Sequence, residues 1–345
     1  MAIATRGRKG PSFVLFVLAG ILVLTFLVHV NVGGSLWYTP WTVLGEIFRG
    51  HLTGSNMTTA NNVVWSIRLP RALMCVCVGG ILGVVGSAFQ AQLRNPLAEP
   101  YIVGVSSGAA IGGVLAMIFG FGAWFGGLGS AACGFVTGLM SLGLVYALAT
   151  KRGVVDVTTL LLAGVVVGSL MSSVLSLCLL LAGEDTNKVL SWLLGSMGIA
   201  NFERDVLLFV ALIVGSVVLF RQTRLLNAFA LGEDAATRLG VNVRRLRGIV
   251  LVTGTAMTAV AVGTVGIIGF LGLVAPHIAR QILGVDWRWS LVGSGLIGAT
   301  LLIVADLLAQ RAGSLFVGSV MEVPVGIVTA VIGAPSLLIL LRKRG

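Results

Sequence analysis

The residues able to do chemistry are few and scattered. His29, His51 and His277 lie far apart with no carboxylate at ligand spacing, so they read neither as a metal site nor as general bases. His277 follows Pro276 and reads as a hydrogen-bonded histidine or a substrate contact. Cys75, Cys77, Cys133 and Cys178 all fall inside apolar runs, without zinc-like partners or a disulfide framework, and read as small core residues. A phosphate-binding GxxxxGK[ST] loop is missing, so the chain does not hydrolyse ATP by itself. No catalytic residue, bound metal or cofactor is expected. What remains is charge in particular places. Arg68 and Arg71 bracket Leu-Pro where a long apolar stretch begins; Asp306 and Arg311 lie near the end of another. Such cations either snorkel to lipid phosphates or meet an acidic partner. The segment 221–247 mixes Arg with Leu225, Leu226, Phe229, Leu231 and Leu239 and is punctuated by Gly232 and Gly240. That pattern predicts two short helices on a surface, either resting on the bilayer or offering a docking face.

The elements that carry these residues must be membrane helices. Of 345 residues, 57% are hydrophobic and 10% charged, against roughly 25% charged in a soluble domain. The mean hydropathy is +1.04. Such a chain cannot cover a water-facing surface, which excludes a soluble enzyme, a disordered chain and a nucleic-acid-binding domain. The net charge of +11 is spread between apolar blocks, as expected of cytoplasmic loops. Glycine, at 48 residues, is about twice as frequent as usual, and in lipid small residues let helix backbones approach closely. The apolar runs are continuous rather than alternating, which argues against a β-barrel.

A crossing helix needs about 20 apolar residues. Ten segments qualify: 11–32, 70–91, 101–120, 126–149, 155–182, 205–220, 248–267, 270–284, 289–310 and 324–341. The first follows Arg6, Arg8 and Lys9 and resembles a signal peptide, but no small-residue cleavage site stands out and Trp37 and Trp41 follow it, so it reads as retained. The eighth is short and contains Pro276. With the N-terminus inside, only Arg49, Arg68, Arg71, Lys188, Arg204 and Arg311 of the 23 Lys and Arg fall outside. This asymmetry predicts both termini in the cytoplasm. The fold class is therefore an all-α polytopic membrane protein of about ten helices, one domain over 1–345, multi-pass in the cell membrane. Two segments, 68–104 and 248–298, echo each other as helix, Pro-interrupted turn and Gly-rich helix. The helix centres carry almost no carboxylates, with Asp306 the nearest candidate, so an ion-driven secondary carrier or a membrane-embedded enzyme is the weaker reading.

The chain resembles the FecCD-type permeases of ABC importers for iron chelates, haem and cobalamin. The resemblance runs from about residue 60 to the C-terminus. It rests on Arg68-Leu-Pro-Arg71, 86–110 (GSAFQAQLRNPLAEPYIVGVSSGAA), Trp192 with Leu-Gly195-Ser196, Leu231-Gly232-Glu233 with Leu239-Gly240, 269–280 (GFLGLVAPHIAR), Gly284-Val-Asp286-Trp-Arg288, Ala305-Asp306 and 322–335 (EVPVGIVTAVIGAP), in that order. It implies a type II importer subunit working as a homodimer or paired permease, with the pathway along the pair's axis. Two cytoplasmic ATP-binding subunits would engage 221–247, through Leu231, Gly232, Glu233, Leu239 and Gly240. An extracytoplasmic substrate-binding protein would dock at Arg68, Arg71 and Arg311. The family's last arginine lies four residues after the aspartate, where this chain has Gln310. The cargo implied is an iron–siderophore or related chelate, with cobalamin and haem as alternatives. The helix at 155–182 and the stretch 192–198 would line the pathway.

Overall fold

The structure, a computed structural model, describes residues 10–32, 38–51, 58–151, 154–198, 200–316 and 322–342. Arg6, Arg8, Lys9, Trp37, Lys343 and Arg344 lie outside them. The described chain is helical apart from a two-residue antiparallel pair, Thr150–Lys151 with Val154–Val155. In order, the helices are α1 Pro11–Val32, α2 Pro40–Arg49, α3 Thr59–Val63, α4 Leu69–Leu93, α5 Val105–Ile118, α6 Trp124–Gly127, α7 Gly129–Ala149 and α8 Val157–Leu181. Then come α9 Thr186–Leu193, α10 Phe202–Arg221, α11 Thr223–Phe229, α12 Glu233–Arg238, α13 Val243–Val265, α14 Leu271–Leu283, α15 Trp287–Phe316 and α16 Val325–Arg342. Asx and Thr residues start several of them. Asp156 accepts the N–H of Thr159, Asn201 that of Arg204 and Asn242 that of Arg245, which satisfies donors that a helix start leaves open.

Each of the ten expected segments holds a helix. Six helical stretches are long and apolar enough to cross a bilayer: Pro11–Val32, Thr59–Leu93, Gly129–Ala149, Val157–Leu181, Val243–Val265 and Trp287–Ala312. Counting α10 with α11 across their 49° bend gives a seventh. α5 and α14 are shorter, at 14 and 13 residues. At 1.5 Å per residue they reach about 20 Å, less than the roughly 30 Å hydrocarbon layer. These helices make the chain a multi-pass membrane protein.

The helices differ sharply in how they are covered. In α3–α4 the apolar window is 89% buried, in α8 only 17% and in α1 11%. α4 is the central post, packed against α15, α14, α10 and α13. Backbone contact makes this possible. A Cβ on Gly83 would run into the carbonyl of Ser294 on α15, and one on Gly86 into that of Gly272 on α14. Where packing rather than water exclusion drives association, such approaches set the interhelical distance.

α3 joins α4 through a widened turn at Val64–Arg68 that winds as a π-helix, with Leu69 donating to the carbonyl of Val64. Pro70 explains it: proline has no N–H and its ring crowds the carbonyl four residues back, so the helix opens locally. The two echoing segments meet in space. Gln90 donates to the carbonyls of Gly272 and Leu273, Arg280 donates to Gln90, and the Tyr101 hydroxyl accepts from the N–H of Ile268 and donates to its carbonyl.

Gly86→Ala should therefore cost about 1–3 kcal/mol through forced separation of α4 and α14. Gly248→Ala on α13, where a Cβ meets nothing within 4 Å, should be neutral or stabilising by up to about 1 kcal/mol. Thermal unfolding in detergent compares them; equal melting points would contradict the packing account.

Candidate functional site

Two constellations stand at opposite ends of the bundle. The first lies at the end that the charge pattern assigns to the outside. Asp306 of α15 is 1% exposed and is held from three sides. Arg71 donates to it twice, Nε to Oδ2 at 2.9 Å and Nη2 to Oδ1 at 3.0 Å. His29 Nε2 of α1 lies 2.8 Å from Oδ2, and Gln310 Nε2, one turn on, donates to the same oxygen at 2.7 Å. The remaining guanidinium nitrogen of Arg71 donates to both oxygens of Glu322, at 3.0 and 2.8 Å, and that carboxylate is half exposed. α4 supplies Arg71 because Pro70 starts the straight helix there. α15 supplies Asp306 and Gln310 because residues four apart share a helix face.

The other two arginines of interest close the end of α1. Arg68 donates to the carbonyls of Val30 and Asn31, at 3.1 and 2.9 Å, and stacks 5.1 Å from the Tyr38 ring. Arg311 donates to the carbonyl of Val32. A helix end leaves its last carbonyls without partners, and a cation there also answers the helix dipole. Arg68 and Arg71 are both buried, each turned to partners within the chain. In a low-dielectric boundary a guanidinium turns to the nearest carbonyls and carboxylates rather than out. Gln310 also turns inward, onto Asp306.

His29, Cys75 and Asp306 bring one donor atom each within 4.8 Å of one another. Arg71 already occupies the Asp306 carboxylate, and a guanidinium there opposes a cation, so the set fits a charge cluster better than a metal site. Sequence spacing missed this cluster because His29 and Asp306 are 277 residues apart. It also missed Asp205 on α10, which is buried with neither oxygen hydrogen-bonded among the described residues.

The second constellation is the segment 221–247. It folds as the two expected short helices, α11 and α12. Gly232 between them has φ +119° and ψ 154°, a region open essentially to glycine. Gly240, at φ +82°, closes α12. Its N–H bonds the carbonyl of Thr237 and that of Val241 bonds Ala236, the paired pattern of a glycine C-cap. Leu231 and Leu239 project into solvent, 71% and 65% exposed, whereas Glu233 is tied to the buried Arg247. α11 is fastened to α15: Asn227 donates to Asp286 at 2.8 Å and accepts the N–H of Trp287 at 3.0 Å. Partial burial works against the Asp286 charge, yet the N–H of Arg288 and the Asn227 amide outweigh it and hold the carboxyl below its usual range.

The end of α9 and the stretch after it pack between helix ends. Trp192 Nε1 donates to the carbonyl of Thr264, Ser196 N–H to Val265, and Val325 N–H to the carbonyl of Gly195. Trp192 and Ser196 line an outward cavity of about 420 Å³ with Lys188 and Arg204. α8 leaves Leu162, Val166, Leu170 and Leu180 exposed along its length. His277 Nε2 lies 2.8 Å from Gln281 Nε2 on its own helix.

Removing the Asp306 charge strands a buried guanidinium, so Asp306→Asn should cost about 3–5 kcal/mol of stability. Arg71→Met combined with Asp306→Leu should recover much of that loss, because no unpaired buried charge is left and the half-exposed Glu322 carboxylate is solvated. Glu322→Gln, at a half-exposed pair, should cost under about 1 kcal/mol. Melting points in detergent read all three; a mild Asp306→Asn would show that the cluster does not hold the outer end.

Residues 21–343 match the FecCD transport family. The cobalamin import permease BtuC of Halobacterium salinarum is 37% identical over 326 residues, covering 94% of this chain and 85% of that protein. The hemin transport permease HmuU of Yersinia pestis is 34% identical, covering 98% of each chain, and the molybdate import permease MolB of Haemophilus influenzae is 33% identical, covering 96% of each. Among solved structures, an inward-facing conformation of a putative metal-chelate type ABC transporter superposes with a TM-score of 0.82 at 31% identity, over 96% of this chain and 99% of that one. With a multi-pass helical bundle, a glycine-jointed surface segment and these matches, the chain belongs to the FecCD transport family and is an ABC importer permease.

Proposed function

We propose that this permease carries a metal chelate into the cytoplasm, an iron–siderophore first, with cobalamin or haem as the alternative cargo. Relatives named for cobalamin and hemin and the metal-chelate transporter structure support a bulky chelate. The observation that carries the mechanism is the 221–247 segment. Two short helices, jointed at Gly232, offer exposed Leu231 and Leu239 on the side opposite the Asp306 cluster, which suits docking of separate ATP-binding subunits. The chain is inferred to cross the membrane ten times with both termini in the cytoplasm. Two copies, or two related permeases, pair with the pathway between them; the exposed apolar face of α8 and the Trp192–Gly198 stretch are its lining. Movement of α11 reaches α15 through Asn227 and Asp286 and is felt at the outer mouth.

A binding protein docks at that mouth over Arg68, Arg71 and Arg311. Because Arg71 is held by Glu322 and Asp306 here, docking through it exchanges the half-exposed Glu322 for a carboxylate of the binding protein. Rim contacts of this kind mainly steer and orient encounter. Iron and cobalamin growth tests on a deletion strain identify the cargo.

The two faces are tested in one reconstituted complex. Gly232→Phe forces a side chain into a glycine-only conformation costing about 1–3 kcal/mol. It should lower ATPase-coupled uptake by about tenfold or more while binding-protein capture survives. Glu322→Gln frees Arg71 and should strengthen capture by up to about fivefold, the worth of an exposed pair. Normal uptake in the first variant would reduce 221–247 to a membrane-surface strip. Unchanged capture in the second would remove Arg71 from the docking face.

A further inference from the structure

Between α1, α4, α10 and α15 runs a cleft of about 490 Å³ on the outside of the bundle. It is apolar for most of its length, with Leu22, Val76 and Leu296 among its walls. Two glycines form part of its floor, where neighbouring side chains pack close against them. A Cβ on Gly80 would come within 3.2 Å of the Leu212 side chain, and one on Gly295 within 3.0 Å of Val84. Neighbouring residues of α10, Ile213 and Val217, are exposed.

The polar atoms of the cleft follow a fixed order. Ser216 contributes a buried hydroxyl that no described residue bonds. Arg221, also in the lining, follows it at the end of α10. Five residues of helix separate them, about 7.5 Å along the axis. Arg221 is exposed and makes no ion pair among the described residues. Its end of the helix is the one that the charge pattern places at the cytoplasmic leaflet, where anionic lipids concentrate.

We propose that this cleft is a binding site for one anionic phospholipid of the inner leaflet. Its acyl chain fills the glycine-floored groove, an ester oxygen accepts from Ser216, and its phosphate meets Arg221. An apolar trough, a lone hydroxyl and a cation, in that order along one helix, match the order of chemistry in a phospholipid. A second protein copy would bury the apolar wall but would leave the hydroxyl and the cation unexplained.

Native mass spectrometry of the delipidated full-length chain, titrated with phosphatidylglycerol and with phosphatidylcholine, tests it. One phosphatidylglycerol should bind about fivefold tighter than phosphatidylcholine, the worth of one arginine near an anionic surface. Arg221→Gln should erase the preference and leave phosphatidylcholine binding as it was. Gly80→Leu should weaken both lipids by filling the groove. If that variant misfolds, Arg221→Gln still decides, because its side chain is exposed. Equal binding of both lipids to the unaltered chain overturns the proposal, as does a preference that persists in Arg221→Gln. A Val217→Cys chain that cross-links to a second copy in membranes also overturns it, since the cleft is then a protein contact.

Discussion

Asp306 is 1% exposed in a membrane protein, and a carboxylate so placed is tolerable only if every partner stays in reach. That demand organises this end of the molecule. Arg71 must rise from α4, so the π-turn before Pro70 and the straight helix after it are fixed relative to α15. His29 must end α1 at the same level, which brings the last carbonyls of α1 to Arg68 and Arg311. Glu322 then anchors the entry to α16. In water such pairs contribute little; in this setting losing one partner leaves a buried charge.

The same helix that presents Asp306 begins at the other end beside the 221–247 segment. From Trp287 to Asp306 is nineteen residues, about 28 Å of helix, close to the hydrocarbon thickness. One end is tied to α11 by Asn227 and Asp286, the other to α1 and α4 by the charge cluster. Between them the backbones of α4 and α15 touch at Gly83 and Ser294. Little slack is left in that contact, so a displacement at either end is carried by the whole helix. This suits the proposed arrangement, in which energy arrives on one face and cargo on the other.

Much of this was legible in the residues themselves. Continuous apolar runs gave the ten helical segments, and Gly232 and Gly240 marked the turns around α12, because glycine's conformational freedom is a local property. The echo of 68–104 and 248–298 was visible, though not that the two segments bond through Gln90 and Tyr101. Arg68 and Arg71 are recognisable as out of place, but not which groups of the chain receive them. Their partners lie on α1, on α15 and before α16, and no local pattern reports which helices will be neighbours. For the same reason His29 looked isolated, and Asp205 was passed over at the polar start of α10.

Asp205 also gives the sharpest contest between energy sources, since a buried carboxyl is what an ion-coupled carrier would use. The direct measurement is cargo uptake into proteoliposomes holding this chain with the proposed ATP-binding subunits and binding protein, with ATP and an imposed proton gradient varied separately. The account predicts uptake that requires ATP, does not follow the gradient and persists in Asp205→Asn. Uptake that proceeds on the gradient without ATP and is lost in Asp205→Asn would contradict it.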